Sequence, residues 1–319
     1  MFVTTVMTLV ALYTAASIAY VYRFRGTARY DSFRQYARKS WPLFAPLNCL
    51  LYLLTSTRGR GAILDPSRFA ELAEIRDNWP TIRAEADALY QRGYFARTVD
   101  AETDAYYDIG FRTFYKYGWS KFYIKWYGHI PASAQALCPA TTRLLARIPS
   151  VRGGMFTLLP PRSQLTRHSD PIAVSLRYHL GLRTPNSAHC FINVDGRALP
   201  WFDGEVLMFD ETYPHFVENN TDHNRLILMC DIARPTYGVG SVLRWAYEGL
   251  ARLTVVPNLV GDKKGFANRV FAHLAPVLAR SKALKATNRS LYRVVKWSVN
   301  VGLMLGVLAA LTAILRLFS

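Results

Sequence analysis

No two cysteines in this 319-residue sequence share a metal-ligand or redox spacing: Cys49, Cys138, Cys190 and Cys230 are scattered. A disulfide scaffold and a cysteine-built zinc site are thereby excluded, and a reducing compartment fits. Charged residues are sparse at 19%, beside 51% apolar and 13% aromatic residues, which excludes disorder over most of the chain. There is no internal repeat. Acid is nearly missing from two stretches: residues 22–60 hold eight basic residues and only Asp31, and residues 262–297 hold nine basic residues and only Asp262. Between them, residues 61–261 carry 21 basic and 20 acidic side chains, although the whole chain has a formal net charge of +17. A nucleic-acid binder sets its basic stripe on the folded domain, so no nucleic-acid partner is expected.

Charge is absent from Phe2 to Tyr22 (21 residues) and from Trp297 to Leu315 (19 residues). Roughly 20 apolar residues cross a bilayer as a helix, so an N-terminal and a C-terminal transmembrane helix are expected. For the first, the alternative is a cleaved signal peptide with its site at Ser17-Ile18-Ala19; no Lys or Arg precedes the run, which disfavours it. Basic residues follow the first span (Arg23, Arg25, Arg29, Arg34, Arg38, Lys39) and precede the second (Arg280, Lys282, Lys285, Arg289, Arg293, Lys296). By the positive-inside rule both clusters, and everything between them, face the cytoplasm. They either hold the domain against anionic headgroups or serve as topology signals alone. Trp41–Leu54 is apolar but too short to span, and Pro42 and Pro46 break it; it reads as an interfacial or re-entrant segment, or as a buried helix.

In the soluble part, Asp65 as cap and Pro66 at the first helical position predict a helix through Phe69, Leu72, Ala73 and Ile75. A second follows Pro80 through Ile82, Ala86, Leu89 and Tyr90. Residues 106–130 are dense in aromatics, for packing or for lining a pocket. After Pro149 short strand-like runs appear (155–159, 175–182, 190–194, 205–209, 225–232), which argue for an all-β barrel or jelly roll. Helical patterns return at 240–252 and 264–297.

Seven histidines are present, and two are conspicuous. His168 and Asp170 are two apart, so on a strand both side chains leave one face. His215 follows 45 residues later, after the acidic turn Asp210-Glu211-Thr212-Tyr213-Pro214. Two histidines and one carboxylate can occupy one face of an octahedral Fe(II), as in non-heme oxygenases. Arg225, at the head of an apolar run, can point into a barrel and grip a carboxylate bidentately, as a 2-oxoglutarate co-substrate requires. Arg177 and His179 face one way on another strand; they serve the same pocket, or Arg177 pairs with a structural acid and His179 is a satisfied core residue. Glu205, Asp210 and Glu211 either balance charge near His215 or face solvent. His129, His189, His223 and His273 suggest no chemistry.

The stretches Gly118–Trp126, Pro131–Pro139, Ser175–Leu182 and Asp203–Tyr213, with Asp77-Asn78-Trp79 and Lys285–Tyr292 more loosely, resemble the aspartyl/asparaginyl β-hydroxylase superfamily. Within it the likeness is greatest to the bacterial lipid A 2-hydroxylases, which are membrane-bound Fe(II)/2-oxoglutarate dioxygenases. The resemblance implies that His168, Asp170 and His215 ligate iron and that Arg225 binds the distal carboxylate of 2-oxoglutarate. Thr157 would assist it where relatives have Ser, and Arg177 and His179 would line the co-substrate or substrate pocket. Some relatives acting on protein side chains lack the carboxylate ligand; here Asp170 is present.

The expected architecture is a mainly β catalytic core, a double-stranded β-helix or jelly roll, with flanking helices and a transmembrane helix at each end. The expected divisions are a span at 1–22, a basic juxtamembrane segment at 23–60, a helical and aromatic-rich flank at 61–150, the β core at 151–235, a basic amphipathic helical segment at 236–296 and a span at 297–315. The resemblance further implies hydroxylation at carbon 2 of a secondary acyl chain of lipid A, at the bacterial inner membrane with the catalytic domain facing the cytoplasm. O2 and 2-oxoglutarate would be consumed, with release of succinate and CO2. The alternatives are an aspartyl/asparaginyl hydroxylase acting on a protein, a hydroxylase of another membrane lipid, and a metal-binding but inert membrane-tethered scaffold.

Overall fold

Alternation of side chains along the strands decides where the core forms. In the computed structural model, which describes residues 2–100, 102–108, 110, 117–299, 301 and 302, the strands are β1 Ile63–Leu64, β2 Ser120–Trp126, β3 Val151–Leu159, β4 Ser163–His168, β5 Ser175–Arg183, β6 Cys190–Val194, β7 Arg197–Pro200, β8 Val206–Phe209, β9 His215–Asn219 and β10 Arg225–Ala233. They form a six-stranded sheet in the order β1-β8-β5-β10-β3-β2 and a four-stranded sheet in the order β4-β9-β6-β7, with antiparallel pairing throughout. From β3 to β10 the chain passes back and forth between the two sheets, which is the winding of a jelly roll.

Helices α1 Phe2–Ala19, α2 Phe33–Lys39 and α3 Ala45–Leu54 precede the sheets. Next come α4 Ala73–Asp77, α5 Trp79–Gln91, α6 Ala132–Leu137 and α7 Pro139–Arg147; α8 Val239–Ala251 and α9 Phe266–Thr287 follow. On β5, Leu176, Tyr178, Leu180 and Leu182 face outward and pack with Leu226, Leu228, Cys230 and Ile232 of β10 against Ile82, Ala86 and Leu89 of α5 and Leu144 and Leu145 of α7. Each such buried side chain contributes roughly 1.5–3 kcal/mol. The intervening residues point between the sheets, where Met155, Ile192, Val217, Ile227 and Met229 form a second apolar layer. Covered on both faces, β5 and β10 carry near-continuous apolar runs, and a polar residue in them has to point into one layer or the other.

The chain divides into two compact units, 1–268 and 269–319. In the first, one helix with its π-helical extension, Thr4–Phe24, is long and apolar enough to cross a membrane. Most of the expected second span, 297–315, lies outside the described residues, as do 111–116 of the aromatic stretch. The expected helix from Asp65 divides into two 3-10 turns, Pro66–Arg68 and Ala70–Leu72, before α4. Phe69 leaves helical geometry (φ −123°, ψ 67°) and buries its ring. The stretch 41–54 is a 3-10 turn and α3: Asn48 and Leu51 are buried while Leu43, Leu50 and Leu53 stay exposed.

The segment after α1 is tied to the β6–β7 turn. Thr27 and Ala28 donate backbone N–H bonds of 2.8 Å each to the Asp195 carboxylate. Gly26 makes this approach possible: its φ is +74°, and a Cβ there would sit 2.5 Å from Asp195 Oδ1.

Candidate active site

Strand register brings the chemistry-bearing residues together between the sheets. β4 and β9 pair so that His168 lies directly opposite His215, with ring centroids 4.2 Å apart. β4 ends at His168, so Asp170 is not on a strand as the spacing suggested. Pro171 follows it and has no N–H to extend a ladder. Asp170 is held instead by its own N–H, which donates to the Glu211 carbonyl at 2.9 Å. Its carboxylate still reaches the histidines: Oδ1 is 3.7 Å from His168 Nε2, and one ligand atom from each of the three residues lies within 4.8 Å of the others.

The imidazoles are set for metal binding. Nδ1 of His168 donates to the Thr166 carbonyl and Nδ1 of His215 to the Tyr213 carbonyl, both at 2.9 Å. Carbonyls only accept, so the ring protons sit on Nδ1 and each Nε2 keeps its lone pair. Burial lowers the pKa of His168; burial and the neighbouring His168 hold His215 down at about 3. Burial opposes ionisation of Asp170, but the Arg177 guanidinium overcomes it and holds the carboxyl below its ordinary range. Two neutral imidazoles and a carboxylate are a donor set that fits a divalent transition metal with sites left open.

Behind Asp170, Arg177 pairs with Asp170 Oδ2 at 2.9 Å, with Asp231 Oδ1 at 2.6 Å across the β5–β10 pairing, and with Glu211. Tyr127 donates to Asp231 at 3.2 Å and Ser175 to Glu211 at 2.7 Å. Burial, with repulsion from Asp170 and Asp231, outweighs the pull of Arg177 and pushes Glu211 up to about 8.

Arg225 is the other exceptional charge. It is 0% exposed, stacked between Trp119 and Trp201 (5.0 and 4.6 Å to the ring centroids), and donates to Thr157 Oγ1 at 3.1 Å. Its Nε and Nη1 have no hydrogen-bond partner among the described residues, and burial pulls its pKa down to about 10. Beside it, Trp201 donates to His179 Nδ1 at 3.3 Å, so the His179 proton lies on Nε2, which is buried and likewise without a partner among the described residues. Leaving such donors unpaired costs on the order of 1–3 kcal/mol each, more for a charged group. A carboxylate would satisfy them, and this fits an acidic co-substrate. A cavity of about 310 Å³ runs past the histidines, with Met155, Leu165, Ile192, Val217 and Met229 among its apolar walls and Arg177, His179 and Glu211 among its polar ones.

A model of the aspartyl/asparaginyl β-hydroxylase family matches residues 76–235, half of the chain. The chain belongs to that family. It is 31% identical over 201 residues to an ornithine lipid ester-linked acyl 2-hydroxylase of Rhizobium tropici, an alignment covering 61% of this chain and 69% of that protein. It is 32% identical over 126 residues to human aspartate β-hydroxylase domain-containing protein 2, covering 37% and 34%. With human aspartyl/asparaginyl β-hydroxylase the identity is 30% over 122 residues, covering 37% and 16%. The match thus spans about two thirds of the rhizobial relative and a third or less of the human ones. Among solved structures, a Pseudomonas putida prolyl-4-hydroxylase aligns at 19% identity and a TM-score of 0.27, covering 36% of this chain and 72% of that one, a likeness too slight to carry an argument.

Seven residues were singled out in the sequence. In this β-hydroxylase family member His168, Asp170, His215, Arg177 and His179 all border the one cavity, whereas Thr157 and Arg225 pair with each other outside its lining. Asp210 and Glu211 are buried, whereas Glu205 is exposed. Asp231 escaped notice, although an acid in the otherwise apolar run 226–232 was a signal; so did Tyr127, hidden among many aromatics. Arg25 reads as one of a basic cluster but is 7% exposed and paired with Asp210 at 2.8 Å.

Proposed function

We propose that the protein is a membrane-bound Fe(II)/2-oxoglutarate-dependent dioxygenase that hydroxylates carbon 2 of a lipid acyl chain, with a secondary acyl chain of lipid A as substrate. The observation that carries the reading is a three-residue metal donor set in one cavity with His179, behind which lies a buried arginine that no acid pairs among the described residues. His168, Asp170 and His215 would hold the iron, and Arg225 with Thr157 would hold the far carboxylate of 2-oxoglutarate. Bound iron would let O2 act as the oxidant, with 2-oxoglutarate giving up two electrons as it becomes succinate and CO2; one oxygen atom of O2 would enter succinate and the other an unactivated C–H. The chain itself supplies orientation: Arg177 and the Glu211 carbonyl fix Asp170, and backbone carbonyls fix both imidazoles. The apolar walls would align an acyl chain and keep water out.

Membrane attachment is supported by the span Thr4–Phe24, and orientation toward the cytoplasm by the basic residues that follow it. A second reading, an ornithine lipid acyl chain as substrate, is favoured by the likeness to the rhizobial enzyme. Mass spectrometry of lipid extracts from cells with and without the gene separates the two. A 16 Da increment on lipid A is expected; the same increment on ornithine lipid alone would replace the substrate, and on neither would reject acyl-chain hydroxylation. Succinate release that requires iron, 2-oxoglutarate and O2 tests the reaction class.

A further inference from the structure

On the other side of the Asp210–Pro214 turn lies a second cavity, of about 510 Å³, that the hydroxylation chemistry does not use. Its apolar walls come from the first helix and from α3: Tyr13, Ala16 and Tyr20 on one side, Cys49, Tyr52 and Leu53 on the other. The two helices are joined where Tyr13 donates to the Pro46 carbonyl at 2.8 Å and Cys49 Sγ approaches the Ser17 carbonyl at 3.9 Å. From Tyr13 to Tyr20 the helix advances about 10 Å at 1.5 Å per residue, and Arg25 lies just past its π-helical end. The cavity wall therefore runs from the middle of the candidate span to its charged end.

At that end the cavity is lined by three arginines, the buried Arg25 and Arg234 and the exposed Arg60, and by one carboxylate, Asp210. Asp210 is shared by Arg25 and Arg234 at 2.8 Å each. Arg25 is further held between the rings of Tyr52 and Tyr213, at 3.8 and 3.6 Å. Arg234, 1% exposed, leaves its Nε without a hydrogen-bond partner among the described residues. Arg60 is bonded to the Thr55 and Leu53 carbonyls, and among the described residues no acid pairs with it. Arg25, Arg234 and Asp210 are buried with one more cation than anion, Arg60 adds a second positive charge at the exposed mouth, and a bound anion would balance them.

We propose that this cavity binds an anionic amphiphile of the bilayer, its acyl chain along the first helix and α3 and its acidic headgroup against Arg25, Arg60 and Arg234. The site is distinct from the catalytic cavity and rests on reading Thr4–Phe24 as membrane-embedded. It is tested with the full chain purified in neutral detergent, by native mass spectrometry after exchange with phosphatidylglycerol or phosphatidylcholine vesicles. Phosphatidylglycerol should be retained about 30-fold better than phosphatidylcholine, from roughly 1 kcal/mol for each of the two positive charges in excess of Asp210. Arg60→Gln should cut that retention about fivefold, and Ala16→Phe, which fills the apolar wall, should remove it, while both variants bind ferrous iron and melt as the wild type does. Equal retention of the two lipids, or wild-type retention in both variants, would overturn the proposal. So would displacement by millimolar inorganic phosphate, which would make this a free-anion site. Release of the protein from membranes by carbonate would reject the embedded helix itself, a result separate from any lack of succinate release, which bears only on the oxygenase reading.

Discussion

The two cavities on either side of the Asp210–Pro214 turn are opposite in charge. In one, three acids, Asp170, Glu211 and Asp231, share a single guanidinium, Arg177; in the other, a single acid, Asp210, is shared by the buried Arg25 and Arg234, with Arg60 exposed at the mouth. Asp210 and Glu211 are neighbours in sequence and both are buried, yet burial fails to neutralise Asp210, which Arg234 and Arg25 hold at about 2, and succeeds with Glu211, pushed up to about 8. Burial alone therefore does not decide the state of a carboxyl here; the local balance of charge does. The sign of that imbalance also indicates what each site can accept: a cation beside Asp170, an anion beside Arg234.

The sharpest way to break this comparison is to remove an acid on the cation side. Asp170→Ala deletes one of three donors and leaves Arg177 with two acids, so ferrous iron affinity should fall by more than about 100-fold, and succinate release should drop to background. Iron content after gel filtration and 2-oxoglutarate consumption are the measurements; wild-type iron content in a folded Asp170→Ala variant would dissolve the donor set. Next in size is Arg225, the cation without an acid. Arg225→Ala should retain iron but raise the 2-oxoglutarate concentration needed for half-maximal rate about 10–100-fold, the equivalent of a charge-assisted hydrogen-bonding pair. An unchanged requirement would mean that the co-substrate is anchored elsewhere.

The strands that build this contrast were legible because their period is 2: runs such as 175–182 and 225–232 announce a face on each side, and a polar residue among them is displayed. His168, Asp170 and His215 were legible by residue type and spacing, even though β4 ends before Asp170 and the common face comes from a backbone bond to Glu211. The ion pairs were not. Arg25 and Asp210 are 185 residues apart, and nothing in either local sequence marks one as the partner of the other. In a basic cluster, an arginine that turns inward looks the same as those left in solvent. β2 was hidden for a different reason: its alternation is masked by aromatics that pack on both faces, Phe122 and Ile124 in one layer and Trp119 and Tyr123 in the other.

Stability sharpens the comparison between the two neighbouring acids. Asp210→Asn removes the shared partner of two buried guanidinium groups, and breaking such a cluster from one side should cost about 3–5 kcal/mol. Glu211→Gln takes one acid from a crowd of three and leaves Arg177 paired with Asp170 and Asp231, so the metal-free protein should change by less than about 1 kcal/mol. Unfolding of both variants in the same mild detergent reads the difference, and equal losses would show that burial, not charge balance, governs the turn.

A smaller effect than the loss in Asp210→Asn is the share of the acid-induced destabilisation that belongs to Asp210. Its folded pKa of about 2 lies below the 3.8 of an unperturbed carboxyl, so the group contributes stability that is complete above about pH 4 and is lost as the pH falls through about 2. A shift of that size corresponds to about 2 kcal/mol. Other carboxyls titrate in the same window, so the informative quantity is the difference between wild type and Asp210→Asn. The gap between the two unfolding free energies should narrow by about 2 kcal/mol on going from pH 5 to pH 2. A gap that stays constant would mean that Asp210 has no depressed pKa to lose, and that Arg25 and Arg234 are held in place by the tyrosine rings and the Ser175 carbonyl instead.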